Sequence, residues 1–198
     1  MDQKTAVLDL AEKRGIITAH DLYEHGLPRR YLSRLVERGE LERVDRGLYA
    51  LSGHEVTEHH DLAVVAKRVP AGVVCLLSAL RFHELTTQAP FEVWIALPPE
   101  AWQPKSDMVR LHTVRMSGEA LTAGVEEHVV EKVSLRLFSP AKTVVDCFRF
   151  RSLVGLDVAL EALREYWASR TGSLDELWRC AEAIQMQNVI RPYLESIV

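Results

Sequence analysis

The first fifty residues repeat one pattern: an apolar stripe at helical spacing, then a glycine. Ala6, Val7, Leu10 and Ala11 recur at intervals of three and four, which predicts an amphipathic first helix ended by Gly15. Thr18 and Asp21 have the spacing of a capping box and predict a short second helix that holds Leu22 and closes at Gly26. Pro28 suits the opening of a third helix, where its missing N–H is not needed. Leu32, Leu35 and Val36 form the buried stripe of that helix, about 11 residues long, and Gly39 ends it. In LERVDRGLYAL, Leu41, Val44, Leu48, Tyr49 and Leu51 flank Asp45-Arg46-Gly47, the pattern of a short hairpin turning at the glycine. Three helices and a hairpin, with the second and third helices closely joined, predict a winged helix-turn-helix.

After Ser52-Gly53 the pattern changes. Residues 56–68 read as a helix with Leu62, Val65 and Ala66 inward, broken by Pro70-Ala71-Gly72. The apolar run Val73 to Leu80 reads as a short extended piece followed by a helix through Ser78, Ala79, Leu80 and Phe82. Strands are expected at 91–97, stopped by Pro98-Pro99, and at 109–115 and 133–138. Pro140 opens a helix holding Val144, Val145 and Phe148, and further helices follow at about 155–169, 173–184 and 188–197. The predicted fold class is α+β: a winged helix-turn-helix over 1–52, then a mixed α/β domain over 53–198.

Composition adds little to this, and charge adds one local feature. Apolar residues are 47% of the 198 and charged residues 26%, an ordinary globular balance. No apolar run approaches the length of a membrane span, and the first residues lack a basic start and apolar core, so a cytoplasmic protein is expected. Residues 1–50 hold nine basic and nine acidic side chains, so the net charge of −4 comes from the rest. Within the neutral part, Pro28 to Val36 carries Arg29, Arg30 and Arg34 and no acid. Arg30, Ser33, Arg34 and Glu37 share one face of the third helix, opposite its apolar stripe. Arginine can grip guanine bidentately or hold phosphate, and Arg43 and Arg46 on the hairpin can reach neighbouring backbone. The candidate DNA-binding residues are therefore Arg29, Arg30, Ser33, Arg34, Arg43 and Arg46. A protein-docking surface and a merely solvated face, with pairs such as Arg34–Glu37 or Arg38–Glu42, are the alternatives. Glu37, Glu40, Glu42 and Asp45 flank the patch.

Other constellations suggest structure rather than chemistry. Cys75, Cys147 and Cys180 are widely spaced among apolar residues and read as inert core thiols. His54, His59, His60 and Asp61 match no zinc spacing, and neighbours on a helix do not converge on one ion, so no metal is expected. Ser78 and His83 suggest no triad, and His83 reads as a helix-end residue. Lys142 and Asp146, four apart, read as a surface or partly buried ion pair, with a catalytic pair as the alternative. Trp94, Trp167 and Trp178 are expected in the core and Trp102 at the surface.

The segment ITAHDLYEHGLPRRYLSRLVERGELERVDRGLYAL resembles the N-terminal domain of the AbiEi-like abortive-infection antitoxins, including the aromatic after the wing glycine in Arg46-Gly47-Leu48-Tyr49. CLLSALRFHEL and LFSPAKTVVDCFRF are similar to segments of that family's second domain, although Ala141-Lys142 stands where the family often has Glu-Arg and Glu84 where it often has glycine. The resemblance implies a regulator that represses its own operon by binding double-stranded operator DNA. It also implies the antitoxin of a type IV toxin–antitoxin system, paired with a nucleotidyltransferase-like toxin without need of a stable complex. No catalytic activity, cofactor or membrane association is expected, and the chain is expected to be a monomer or weak dimer. The alternative is a nuclease or nucleotide-processing enzyme acting through the C-terminal domain, which requires a convergent set of acids near Lys142 or Glu92.

Overall fold

The computed structural model describes residues 2–169 and 172–196. It divides into two compact units. The first comprises Met1–Pro70 with Pro104–Arg110 and His128–Leu135, and the second comprises Ala71–Gln103, Leu111–Glu127 and Arg136–Val198.

The first unit opens with α1 (Gln3–Arg14), α2 (Ala19–Glu24) and α3 (Arg30–Glu37). The capping box is formed: Thr18 accepts from the Asp21 backbone and Asp21 accepts from the Thr18 backbone. Helix α3 is shorter than expected. Pro28 lies one residue ahead of the Arg29 cap, and the chain enters through i→i+3 bonds from Tyr31 N to Pro28 O and Leu32 N to Arg29 O, each 3.1 Å. At the far end, Glu40 N bonds Leu35 O and Gly39 N bonds Val36 O, a Schellman stop that needs the left-handed φ of +70° at Gly39.

The wing follows as β1 (Leu41–Asp45) and β2 (Leu48–Leu51), antiparallel, with Leu41 opposite Leu51 and Asp45 opposite Leu48. An irregularity between Arg43 and Asp45 takes Val44 out of the regular ladder. Ile17, to which the sequence pattern assigned no element, bridges Tyr49 as a one-residue third strand. Val7, Leu10, Ala11, Ile17, Leu22, Leu32, Leu35 and Leu41 make the core that fixes α3. Helix α4 (His60–Arg68) starts four residues later than periodicity predicts. The preceding turn is held instead by Thr57, whose backbone N–H and hydroxyl both donate to Glu131, at 2.8 and 2.9 Å.

The second unit carries β3 (Val73–Val74), α5 (Leu76–Phe82), β4 (Val93–Leu97), β5 (Leu111–Arg115), α6 (Glu119–Thr122), β6 (Val125–Val130) and β7 (Val133–Phe138). Helices α7 (Pro140–Arg149), α8 (Arg151–Val154), α9 (Leu156–Ala168), α10 (Leu174–Ala183) and α11 (Gln187–Glu195) follow. The tip of the β6–β7 hairpin belongs to the first unit. The five-stranded sheet has the order β5-β4-β3-β7-β6 and is mixed, with β3 antiparallel to β4 and parallel to β7, and β4 parallel to β5. Every residue of β4 is buried, as a central strand requires. Helix α7 is buried from Ala141 to Phe148, with α5, α9, α10 and α11 packed around it.

Periodicity missed α6 and β6, because VEEHVV alternates too weakly to read as a strand by itself. Position 197, within the expected terminal helix, lies outside the described residues. Trp94 is buried and Trp102 exposed as expected, but Trp167 is 39% exposed on the outer side of α9. His83 caps α5. Glu84 beside it takes φ +57°, a conformation that costs glycine least.

Candidate nucleic-acid interface

Leu32 and Leu35 are sunk in the first unit's core, so the opposite side of α3 faces solvent. Arg29, Arg30, Ser33 and Arg34 are exposed on or before α3, and Arg43 and Arg46 are exposed on the wing. An eight-residue helix is about 12 Å long, so the whole of α3, rather than only its first turns, spans about one major-groove width. Among the described residues no ion pair engages Arg29, Arg30, Arg34 or Arg46, and neither Arg34–Glu37 nor Arg38–Glu42 forms. Arg43 differs. Its Nε donates to the Asp45 carbonyl at 3.2 Å, and its guanidinium lies 3.8 Å from the Asp107 carboxylate.

The sequence pattern placed Arg38 only as a candidate surface partner of Glu42. Arg38 caps α3 and lines a cavity of about 120 Å³ with Asp2, Lys4, Tyr31, Arg34 and Leu35. Its position four beyond Arg34 and eight beyond Arg30 was the available signal.

Of the four flanking acids, Glu40 and Asp45 are paired with cations and Glu42 accepts a hydrogen bond from His54. Glu40 pairs with Lys4 at 2.7 Å and Glu42 with His54 at 2.9 Å. Asp45 is buried and accepts from Arg46 N (2.7 Å), Asp107 N (3.0 Å) and the Arg68 guanidinium (3.1 Å). Burial pushes the Asp45 carboxyl up, but the backbone N–H groups of Arg46 and Asp107, with Ser106 and Arg68, outweigh it and hold it below the usual range. The wing turn is thus locked through the Arg46 backbone while the Arg46 side chain stays outside. Asp21 does the same for the helices: it accepts from Thr18, Arg14 and Lys67. Burial raises its pKa, and the bonds from Thr18 and Lys67 pull it below the usual value. These carboxylates fix the positions of the arginines while adding little negative potential around them.

The first unit also assembles His54, His60 and Glu131, each offering a ligand atom within 4.8 Å of the others. The expectation of no metal rested on neighbouring histidines along one helix. The structure pairs His54, in the loop after the wing, with His60 at the start of α4 and a turn 71 residues further on. His60 Nδ1 lies 2.7 Å from Glu131 Oε2. Burial raises the Glu131 carboxyl, but the hydrogen bonds from His60 and Thr57 outweigh it and leave it below its usual value.

In the second unit, Lys142 and Asp146 form a fully buried ion pair at 2.5 Å, not a surface one. Lys142 Nζ also donates to Ala120 O at 3.0 Å and stands 4.1 Å from the Phe138 ring centroid. Burial pushes the Asp146 carboxyl up, only partly offset by Lys142. Glu92 meets His112 at 3.0 Å. Burial raises all three cysteine thiols, consistent with inert core residues.

The arginine-faced helix and locked wing have a counterpart among known families. Residues 6–52 match the family described as "Transcriptional regulator, AbiEi antitoxin". The AbiEi-like region comprises α1 to α3 and the wing, the part that carries all six candidate residues. The description of that family, a transcriptional regulator and antitoxin, suggests a DNA-binding, regulatory role for this region. No curated protein matches the chain. Among solved structures, the RV2827C protein from Mycobacterium tuberculosis is similar in fold, with a TM-score of 0.56, 18% identity, and coverage of 92% of this chain and 72% of that one. Among the described residues, no helix is long and apolar enough to cross a membrane.

Proposed function

We propose that this chain is a sequence-specific DNA-binding repressor of its own operon and the antitoxin of a type IV toxin–antitoxin system. The observation that carries the reading is the set of exposed arginines without ion pairs on α3 and the wing turn, inside the region that matches the AbiEi family. Residues 1–52 act as the reading module and 53–198 as the antitoxin or effector-sensing part. Arg30, Ser33 and Arg34 face the major groove. Arg29 and Arg46 hold phosphate, and Arg43 contributes from the wing while tethered to Asp107 and the Asp45 carbonyl. The second part works without catalysis. The lysine–carboxylate pair that could have served chemistry is sealed from any substrate, with both side chains 0% exposed.

The test is a titration on the DNA upstream of the gene at several salt concentrations, with circular dichroism as the folding control. Arg34→Ala is expected to cost about 1–3 kcal/mol on operator DNA and much less on random DNA. Arg29→Ala and Arg46→Ala are expected to weaken both about equally and to lower the salt slope by about one each. A folded triple variant that binds as tightly as wild type would make the winged helix a protein-docking module. For the antitoxin half, co-expression with a neighbouring nucleotidyltransferase-like gene is expected to restore growth that the neighbour alone arrests. Unrelieved arrest removes that half.

A further inference from the structure

We propose that His54, His60 and Glu131 form a binding site for a divalent transition-metal ion of the zinc class. The three come from the loop after the wing, the start of α4 and the tip of the β6–β7 hairpin, and their ligand atoms lie within 4.8 Å of one another. Tetrahedral zinc needs ligand atoms about 3.3 Å apart, so closure takes shifts of roughly 1 Å. Two imidazoles and a carboxylate, with a fourth position for water, are a ligand set suited to zinc rather than to calcium or magnesium.

The state of each ring supports this. His54 Nδ1 sits 2.9 Å from Glu42 Oε1 and 3.0 Å from Leu51 O. Both partners accept, so Nδ1 carries the hydrogen and Nε2 presents its lone pair. That Nε2 is buried and has no hydrogen-bond partner. A carboxylate behind a histidine, with the far nitrogen open, is the outer-shell arrangement that orients metal-ligating imidazoles. His60 Nδ1 donates to Glu131 Oε2 at 2.7 Å. For an ion to bind at Nδ1, the neutral ring passes that hydrogen to Nε2 through solvent, which frees the Nδ1 lone pair without changing the ring's charge. Glu131 keeps its bonds from Thr57 through its other oxygen. A cavity of about 230 Å³ lined by Gly15, His54, Thr57 and Glu131 gives the ion an approach and room for a water ligand.

The backbone presents the carboxylate at a cost. Glu131 and its neighbour Lys132 take φ of +50° and +66°, a two-residue turn in which asparagine and glycine are the easy choices. The Glu131 side chain is only 6% exposed although it stands at a hairpin tip. The turn is pinned by Lys132 Nζ on Glu12 O at 2.6 Å.

The experiment is calorimetric titration of the purified, metal-stripped full chain with zinc in excess magnesium, together with thermal melts with and without zinc. One equivalent bound per chain and a raised melting temperature are expected. His54→Gln and His60→Gln are each expected to weaken zinc at least tenfold and to abolish the shift in melting temperature, with circular dichroism unchanged. Glu42→Gln, which acts only through His54, is expected to weaken zinc about tenfold and to keep the stoichiometry. His54 touches neither Thr57 nor Glu131 by a hydrogen bond, so its variant separates loss of a ligand from loss of the turn. Absence of stoichiometric zinc binding, or unchanged affinity in both histidine variants, overturns the site. Neither outcome bears on the arginine face, whose test is DNA titration.

Discussion

The two compact units bury charge in opposite ways. In the first, Asp21, Asp45 and Glu131 are carboxylates sunk beneath the surface, each met by several donors from separate segments. In the second, Asp146 lies in an apolar core with one cation and one oxygen, Oδ1, left without a partner. Well-supplied carboxylates work as clasps. Asp45 locks a wing turn to Arg68 and to the backbone of Asp107, and Glu131 holds the start of α4. A carboxylate in an apolar core is costly even when paired, because the attraction must first offset the desolvation of both ions. The same chemistry therefore positions loops in one unit and sets a strict requirement for pairing in the other.

The largest expected effect tests that requirement. Lys142→Met leaves the buried Asp146 without its cation, and is expected to destabilise the second unit by about 3–5 kcal/mol in urea denaturation. The double variant Lys142→Met, Asp146→Leu is expected to recover most of the loss. A single variant within 1 kcal/mol of wild type would mean the pair is not as sealed as its geometry indicates.

Next is the close approach in the first unit. A Cβ on Gly15 would meet the Glu131 carbonyl oxygen at 2.0 Å, and Gly15 has φ +69°. Gly15→Ala is expected to cost about 3 kcal/mol. Its hydrogen exchange should rise around Thr57 and the 131–132 turn first.

The clasps also predict how the units differ with pH. Asp21, Asp45 and Glu131 have folded pKa values below their unfolded ones, so the stability they add is present above about pH 4 and is lost as pH falls through the folded values. Asp146, raised by burial, acts with the opposite sign: its contribution becomes less unfavourable as pH falls. Exchange measured between pH 5 and pH 3 is therefore expected to open the first unit before the second. Simultaneous opening would remove the distinction.

The smallest effect concerns the exposed face. Arg38→Ala, which breaks no ion pair among the described residues, is expected to change stability by no more than about 0.5 kcal/mol. A larger loss would mean that the face is structural.

Sequence by itself determined the elements whose cause is local. Apolar positions at three and four residues, the Thr18–Asp21 box, the Gly39 stop and the proline that opens α7 act within one or two turns, so they are legible in order along the chain. The arginine face of α3 follows from the same periodicity, because burying Leu32 and Leu35 leaves only one direction for Arg30 and Arg34. Only the tertiary structure decided what depends on distant partners. Strand β6 lacks a clear pattern and exists because β7 supplies its ladder. Lys142 and Asp146 have a surface pair's spacing, but the elements around α7 enclose them. Asp45 appears in the sequence as a turn residue and becomes a clasp only when Arg68 and Asp107 arrive. His54 and His60 face Glu131 because a strained turn, pressed against a glycine, delivers a carboxylate from far along the chain. Spacing encodes directions over a few residues, whereas the burial of a charge and the meeting of three ligands are set by contacts that close only when the chain has folded.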